Sequence, residues 1–176
     1  MSKNEIFNTK NLVRMSLVAA LYVAMTLAIQ PLAYGPVQFR VSEILVLLCF
    51  YRKDYCVPLT LGCLIANLFS PFGLYDIIFG TLATAVAVFP MYRVKNIWAA
   101  SLLPVVSNGL IVGLELFLCG EPFWFSAATV ALGELVVITV VGCALFRFAL
   151  ERNGTLMNII GVDSSKRRAV PQGQTK

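Results

Sequence analysis

Long apolar runs dominate the chain, and the short turns between them contain basic residues, glycine or proline. They cover residues 11–30, 41–51, 55–69, 76–92, 97–119 and 122–150. A helix of about 20 apolar residues is long enough to cross a bilayer, and the first run has this length. The pattern predicts an all-α membrane protein in which six transmembrane helices form one bundle.

The second run is too short to cross a bilayer by itself. A helix over residues 41–51 rises only about 16 Å. We therefore expect this helix to begin earlier, near Val37, which would draw Gln38, Arg40 and Glu43 into the outer part of the protein. Because Arg40 and Glu43 are three residues apart, they could instead simply pair with each other.

The basic residues predict the orientation of the bundle. With six spans, all Lys and Arg residues except Arg40 fall on one side of the membrane. Basic residues accumulate in cytoplasmic loops, so both termini are predicted to be cytoplasmic. The residues on this side are Lys3, Lys10, Arg14, Arg52, Lys53, Arg93, Lys95, Arg147, Arg152, Lys166, Arg167, Arg168 and Lys176.

The composition supports a single membrane domain. Hydrophobic residues make up 59% of the 176 residues and charged residues 13%, and the mean hydropathy is +0.80. Soluble domains are about a quarter charged. We divide the chain into a cytoplasmic N-terminal segment (1–10), a membrane domain (11–150) and a basic cytoplasmic tail (151–176). The net charge of +5 lies in short clusters between apolar runs, which argues against nucleic-acid binding.

Several kinds of chemistry are not expected. The chain has no histidine, and its five cysteines form no CxxC pair. His/Cys metal sites and histidine-based acid–base catalysis are therefore improbable. The chain also lacks a GxxxxGK[ST] phosphate-binding loop, so it cannot hydrolyse nucleotide by itself. We expect no enzymatic activity, no metal and no cofactor.

Two apolar helices joined by the turn 119–122 each carry one carboxylate, Glu115 before the turn and Glu134 after it. Ionisable side chains inside a membrane span are costly, and they usually face a cavity or the bundle interior. Asn108 lies two helical turns from Glu115 on the same face, and Trp124 follows the turn. Either glutamate could instead only hold neighbouring helices together, and Trp124 could be an interfacial anchor.

The other intramembrane polar residues, including Asn67 and Asp76, also fall in the outer half of the predicted bundle. This asymmetry predicts a pocket that opens outward and is closed on the cytoplasmic side. Asp76 is placed to cap the fourth helix, which we favour over ligand binding. For Asn67, capping and ligand contact are equally plausible.

The first span has small residues at every fourth position: Ser16, Ala20, Ala24 and Ala28. Such a stripe lets another helix approach closely. It could pack inside this protein's own bundle, or it could be a docking face for a partner membrane protein.

Four strings of residues resemble the QueT family: VQFRVSE (37–43), ANLFSPFGLYD (66–76), SNGLIVGLE (107–115) and LGEL (132–135). The resemblance extends over about residues 10–150. It implies a substrate-binding (S) component of an energy-coupling factor (ECF) transporter for queuosine precursors in the bacterial plasma membrane. Its partners would be a transmembrane coupling subunit and two ATPase subunits. S components dock the coupling subunit through small residues of the first span, a pattern that Ser16, Ala20 and Ala24 match.

The resemblance implies a 7-deazaguanine ligand such as preQ0, preQ1 or queuine. Its Watson–Crick edge presents two parallel donors, which Glu115 or Glu134 could accept together. Asn108 could bind the carbonyl or ring nitrogens, and Trp124 could stack on the ring. An aminomethyl substituent would be a cation for the second carboxylate. The predicted substrate-binding residues are Glu115, Asn108, Glu134, Asn67, Trp124, Arg40 and Glu43.

Other functions remain open. A proton-coupled secondary transporter could use Glu115 and Glu134 as a relay, although it would need alternating access and the chain has no evident internal repeat. An S component for a different vitamin is another alternative. An intramembrane enzyme is disfavoured because no paired nucleophile and base can be identified.

Overall fold

The fold is a bundle of helices, seen in a computed structural model that describes residues 8–33 and 39–162. No strand occurs within these two ranges. We number the main helices α1 (Thr9–Ala28), α2 (Val41–Tyr51), α3 (Cys56–Asn67), α4 (Asp76–Met91), α5 (Ile97–Leu118), α6 (Phe123–Leu150) and α7 (Gly154–Ile160). Short helical turns cover Gln30–Ala33 and Lys53–Tyr55.

The helix boundaries follow the apolar runs of the sequence closely. Three helices, α1, α5 and α6, are long and apolar enough to cross a membrane, and α2 and α4 are shorter apolar helices. The described part of the chain is therefore all-helical, with the several apolar helices of a multi-pass membrane protein. Many of its large apolar side chains are exposed on the outside of the bundle, as expected for helices that face lipid.

The helix α2 does not begin near Val37 as predicted. Its first turn starts at Val41, and the preceding Phe39 and Arg40 are not helical, while Val37 and Gln38 lie outside the described residues. Over Val41–Leu47 the helix is of the 3-10 type. Because a 3-10 helix rises about 2.0 Å per residue, α2 is about 20 Å long, somewhat longer than an α-helix of the same residues.

A tight turn joins α5 to α6, and small residues hold the two helices together. Gly120 has a φ of 102°, which a glycine adopts without strain, and the Glu121 amide donates to the Leu116 carbonyl at 3.0 Å. Along the interface, a Cβ placed on Gly113 would lie 2.9 Å from the Cα of Ala127. The absence of a side chain at Gly113 therefore sets the close approach of α5 to α6.

The helix α7 packs against the end of the bundle where α1 begins. Tyr55 donates its hydroxyl to the Ile160 carbonyl at 2.7 Å, and Tyr51 donates to Glu151 at 2.9 Å. The predicted tail (151–176) thus begins with residues that pack on the bundle, including the buried Met157. Residues 1–7 and 163–176, which carry Lys3, Lys166, Arg167, Arg168 and Lys176, lie outside the described residues.

Candidate functional site

Buried acidic side chains from four helices, α2, α4, α5 and α6, interact with Arg40. The Arg40 guanidinium forms an ion pair with Asp76 of α4, with 2.9 Å between Nη2 and Oδ1, and its Nε donates to the Ala33 carbonyl at 3.3 Å. Arg40 is 4% exposed and Asp76 is fully buried. The sequence left open a local pair of Arg40 with Glu43. The observed ion pair of Arg40 is with Asp76, 36 residues later in the chain.

The Asp76 side chain does not serve as the helix cap that we favoured from the sequence. Its carboxylate accepts hydrogen bonds from Arg40 and from the Ser70 hydroxyl. Asn67 supports this arrangement, because its Nδ2 donates to the Asp76 carbonyl at 2.9 Å and to the Thr81 hydroxyl at 3.3 Å. Both residues therefore hold the beginning of α4 against α3 and Arg40.

Gly80 leaves room for these contacts. A Cβ at this position would lie 2.9 Å from Asn67 Nδ2, 3.3 Å from Asp76 Oδ1 and 3.4 Å from Arg40 Nη1. Because these three polar groups occupy the space where a side chain would start, any larger residue at Gly80 would displace them.

Glu43 links α2 to α1 and α4. Its Oε1 accepts a hydrogen bond from the Tyr22 hydroxyl and a longer one from Thr84 Oγ1 at 3.4 Å. Glu43 is fully buried and Tyr22 is 1% exposed. Its second oxygen, Oε2, has no hydrogen-bond partner among the described residues.

The amide of Asn108 bridges α5 and α6. Its Nδ2 donates to Glu134 Oε1 at 2.8 Å, and both side chains are buried. A carboxylate can only accept, so the nitrogen of the amide must face Glu134 and the oxygen must face away. Asn108 was predicted to act beside Glu115, but the observed bond joins it to Glu134. Asn108 Oδ1 and Glu134 Oε2 have no partner within the described part of the chain.

Glu115 is the least satisfied carboxylate of the group. It is 0% exposed, and neither of its oxygens has a hydrogen-bond partner among residues 8–33 and 39–162. The carboxylate interacts electrostatically with Asp76 and with Arg40. Glu115 therefore lies beside the Arg40–Asp76 pair, with its carboxylate close to that of Asp76 and without a described donor on either oxygen.

We call the set Arg40, Glu43, Asp76, Glu115, Glu134 and Asn108 the acidic cluster. Arg40 interacts electrostatically with each of the four carboxylates. Glu134 also interacts with Glu43, which connects the Asn108 pair to α2. Four acidic groups thus interact with one guanidinium, and the arrangement can bind a ligand that brings hydrogen-bond donors and positive charge.

The small residues of α1 line a groove on the surface. Ser16, Ala20 and Ala24 are exposed, so they do not pack inside this protein's own bundle. The groove has a volume of about 1260 Å³ and continues onto α3 and the end of α4. Its walls are mostly apolar, including Val57, Leu61 and Phe89, and its rim carries Lys53, Asp54 and Arg93.

Comparison with known proteins assigns the family. A profile of the QueT transporter family matches residues 12–151. The chain is also 34% identical over 149 residues to the queuosine precursor transporter QueT of Lactococcus lactis subsp. cremoris (strain MG1363), which covers 75% of this chain and 88% of that protein. The chain belongs to the QueT transporter family. No solved structure matches it significantly.

Each of the four strings that resemble QueT proteins contributes to the acidic cluster or to its support. VQFRVSE supplies Arg40 and Glu43, and ANLFSPFGLYD supplies Asn67, Ser70 and Asp76. SNGLIVGLE supplies Asn108 and Glu115, and LGEL supplies Glu134. The parts of the sequence that resemble this transporter family therefore meet at one place in the fold.

Trp124 is not brought into the cluster of this QueT-family protein. It is 79% exposed and contacts Phe123 edge-to-face, with 4.9 Å between ring centroids. On α6 the buried face includes Ser126, Val130 and Glu134, at intervals of four residues. Trp124 is ten residues from Glu134 and points about 80° away around the helix. The alternative of an interfacial anchor is therefore favoured for this residue.

Tyr22 and Gly80 are parts of the site that were not identified from the sequence. Tyr22 and Thr26 are four residues apart on α1, and both are buried, whereas the small-residue stripe is exposed. Hydroxyl side chains at this spacing in an apolar span indicate a polar face. Nothing comparable in the sequence of α4 marks Gly80, because its role depends on contacts with α3 and with Arg40.

Proposed function

We propose that this chain is the substrate-binding component of an importer for queuosine precursors, and that it captures a 7-deazaguanine in the acidic cluster. The observation that carries the proposal is a group of buried carboxylates with unused acceptor oxygens, located where the QueT-like strings meet. The relative from Lactococcus lactis is described as a queuosine precursor transporter, which supports the same class of substrate.

The ligand chemistry suits these residues. The Watson–Crick edge of a 7-deazaguanine carries a ring N–H and an exocyclic amine side by side. A carboxylate can accept such a pair of donors with both oxygens, and charge-assisted bonds of this kind are the stronger ones. Glu115 has both oxygens available among the described residues, and we therefore assign it to this edge. Glu134 and Asn108 would then bind the opposite side of the ligand.

We further propose that the chain works with a transmembrane coupling subunit and two ATPase subunits of an energy-coupling factor module. The sequence has no phosphate-binding loop of its own, so energy from nucleotide hydrolysis must come from partners. The exposed groove beside Ser16, Ala20 and Ala24 supports docking of an apolar helix. In this proposal six helices span the bacterial plasma membrane, both termini are cytoplasmic, and the pocket is loaded from outside.

The test is ligand binding by the purified full-length chain in nanodiscs, measured by calorimetry without ATP. We expect a 7-deazaguanine precursor to bind in a one-to-one ratio, and Glu115→Gln to weaken binding by at least about tenfold. The matched control is Glu121→Gln, which removes an exposed carboxylate from the turn between the same two helices. Binding of an unrelated vitamin instead would reject the substrate class. Uptake by the chain alone, driven by a pH gradient, would favour a proton-coupled transporter.

A further inference from the structure

The unpartnered atoms of the acidic cluster are all acceptors. Buried side-chain atoms without a hydrogen-bond partner in the described part of the chain are Glu43 Oε2, Asn108 Oδ1, Glu115 Oε1 and Oε2, and Glu134 Oε2. Every one of these atoms is an oxygen. Buried polar groups are normally satisfied, and unsatisfied ones are costly. A ligand that completes this site must therefore provide donors rather than acceptors.

The charge of the cluster points in the same direction. Arg40, the one cation of the cluster, is already engaged by Asp76 at 2.9 Å and by the Ala33 carbonyl. Glu115, Glu43 and Glu134 share this single cation with Asp76. Carboxylates buried at membrane depth are costly unless a positive charge compensates them. The cluster is therefore complementary to a ligand that is itself a cation.

Asn108 supplies an independent indication. Its amide is 4% exposed and is fixed by the bond from Nδ2 to Glu134, so that Oδ1 faces away from that carboxylate without a described partner. An amide oxygen held in this way adds a neutral acceptor to the charged ones. Together with Glu134 it can accept hydrogen bonds from an ammonium group, which has three donors and no acceptor.

We infer that the site selects its ligand as a cation, and that a 7-deazaguanine with a primary alkylammonium substituent binds in preference to neutral analogues. This inference rests on the proposed function and narrows its substrate class. A primary alkylamine is protonated at neutral pH. A nitrile at the same ring position has no donor. Its nitrogen is an acceptor, and it would face the unpartnered acceptor oxygens of the cluster.

The experiment compares three ligands that differ only in the ring substituent. Calorimetry on the wild-type chain in nanodiscs at pH 7 would use 7-aminomethyl-, 7-hydroxymethyl- and 7-cyano-7-deazaguanine. The hydroxymethyl compound retains a donor but has no charge, so it separates the two effects. We expect the aminomethyl compound to bind at least about tenfold tighter than either neutral ligand, as for a charge-assisted contact.

Two variants connect this preference to the cluster. Glu134→Gln and Glu115→Gln preserve side-chain shape, and at least one of them should reduce the ratio between the aminomethyl and cyano affinities several-fold. Glu121→Gln, in the exposed turn, should leave the ratio unchanged. If a variant does not fold, the inference is tested by the ratio between the aminomethyl and cyano affinities of the wild-type chain. Equal affinities, or tighter binding of the nitrile, would overturn the inference but leave the proposed function intact. Failure of the folded protein to bind any of the three, or queuine, would reject the proposed function itself.

Discussion

Tyr22 donates its phenolic hydrogen to Glu43 and so ties α1 to the acidic cluster. One turn further along, Thr26 and Ser42 share a hydrogen bond of 2.6 Å. The opposite face of α1 carries the exposed residues Ser16, Ala20 and Ala24. Only 11% of the residues in the most apolar stretch of α1 are buried. The same helix therefore touches both the candidate substrate site and the candidate docking groove.

The first prediction concerns the hydroxyl of Tyr22. Tyr22→Phe removes the donor to Glu43 and leaves a buried carboxylate with less support, which should reduce stability by about 1–3 kcal/mol. Thermal unfolding of the purified protein in detergent measures this change. Tyr75→Phe is the matched control, because Tyr75 is 44% exposed. An equal effect of both substitutions would contradict the role given to the Tyr22–Glu43 bond.

The second prediction concerns the buried ion pair. Arg40→Met leaves Asp76 buried opposite an apolar side chain, and removal of one partner from such a pair typically costs about 3–5 kcal/mol. Adding Asp76→Asn to this variant should recover part of the loss, because the uncompensated charge is then gone. Unfolding of both single variants and of the double variant measures the coupling. Arg147→Ala is the control, since its pairing with Glu151 is partly exposed and longer, at 3.7 Å.

The positions of the helices could be predicted from the sequence, but most of their polar partners could not. Apolar runs end where a bilayer ends, so the bounds of α5 and α6 follow from composition alone. The partner of Asp76 is Arg40, 36 residues earlier, and no local pattern indicates it. The position of Asp76 at the start of a helix favoured a capping role. In the folded protein its side chain instead forms an ion pair with Arg40.

The acidic cluster illustrates the same limit. Glu115, Glu134, Asn108, Arg40 and Glu43 were all identified because polar residues inside apolar spans are conspicuous. Which of them would bond to each other depends on how the helices rotate and pack, and the Asn108–Glu134 bond follows from the close contact of α5 with α6. The exposure of Trp124 likewise depends on helix rotation, which a weakly amphipathic span does not specify.

The third prediction concerns docking to a coupling subunit. Ala20→Leu together with Ala24→Leu should fill the groove and reduce co-purification with ATPase and coupling subunits by at least about tenfold, because close helix approach requires small side chains. Leu17→Phe is the control: this residue is 68% exposed on the same helix but does not line the groove. Ligand binding by the isolated chain should be unchanged in all of these variants. An intact complex after the double substitution would remove the groove from consideration as the docking surface.

The fourth prediction compares two Gly→Ala substitutions. At Gly113 the new methyl group would lie 2.9 Å from both Cα and Cβ of Ala127, so α5 and α6 would have to separate. Overpacking of this kind typically costs about 1–3 kcal/mol, and the bond between Asn108 and Glu134 would be stretched as well. At Gly154, the first residue of α7, no atom lies within 4 Å of the added methyl group. There the substitution should be neutral or stabilise by up to about 1 kcal/mol, because it restricts the unfolded chain.

Thermal unfolding and ligand titration of the two variants together separate packing from site geometry. Gly113→Ala should lower both the unfolding temperature and the ligand affinity, since Glu115 and Asn108 lie on either side of it on α5. Gly154→Ala should leave the affinity unchanged. If Gly113→Ala unfolds at a lower temperature but binds ligand as the wild type does, the contact of α5 with α6 stabilises the bundle without positioning the acidic cluster. Unchanged unfolding would mean that the two helices can move apart at little cost.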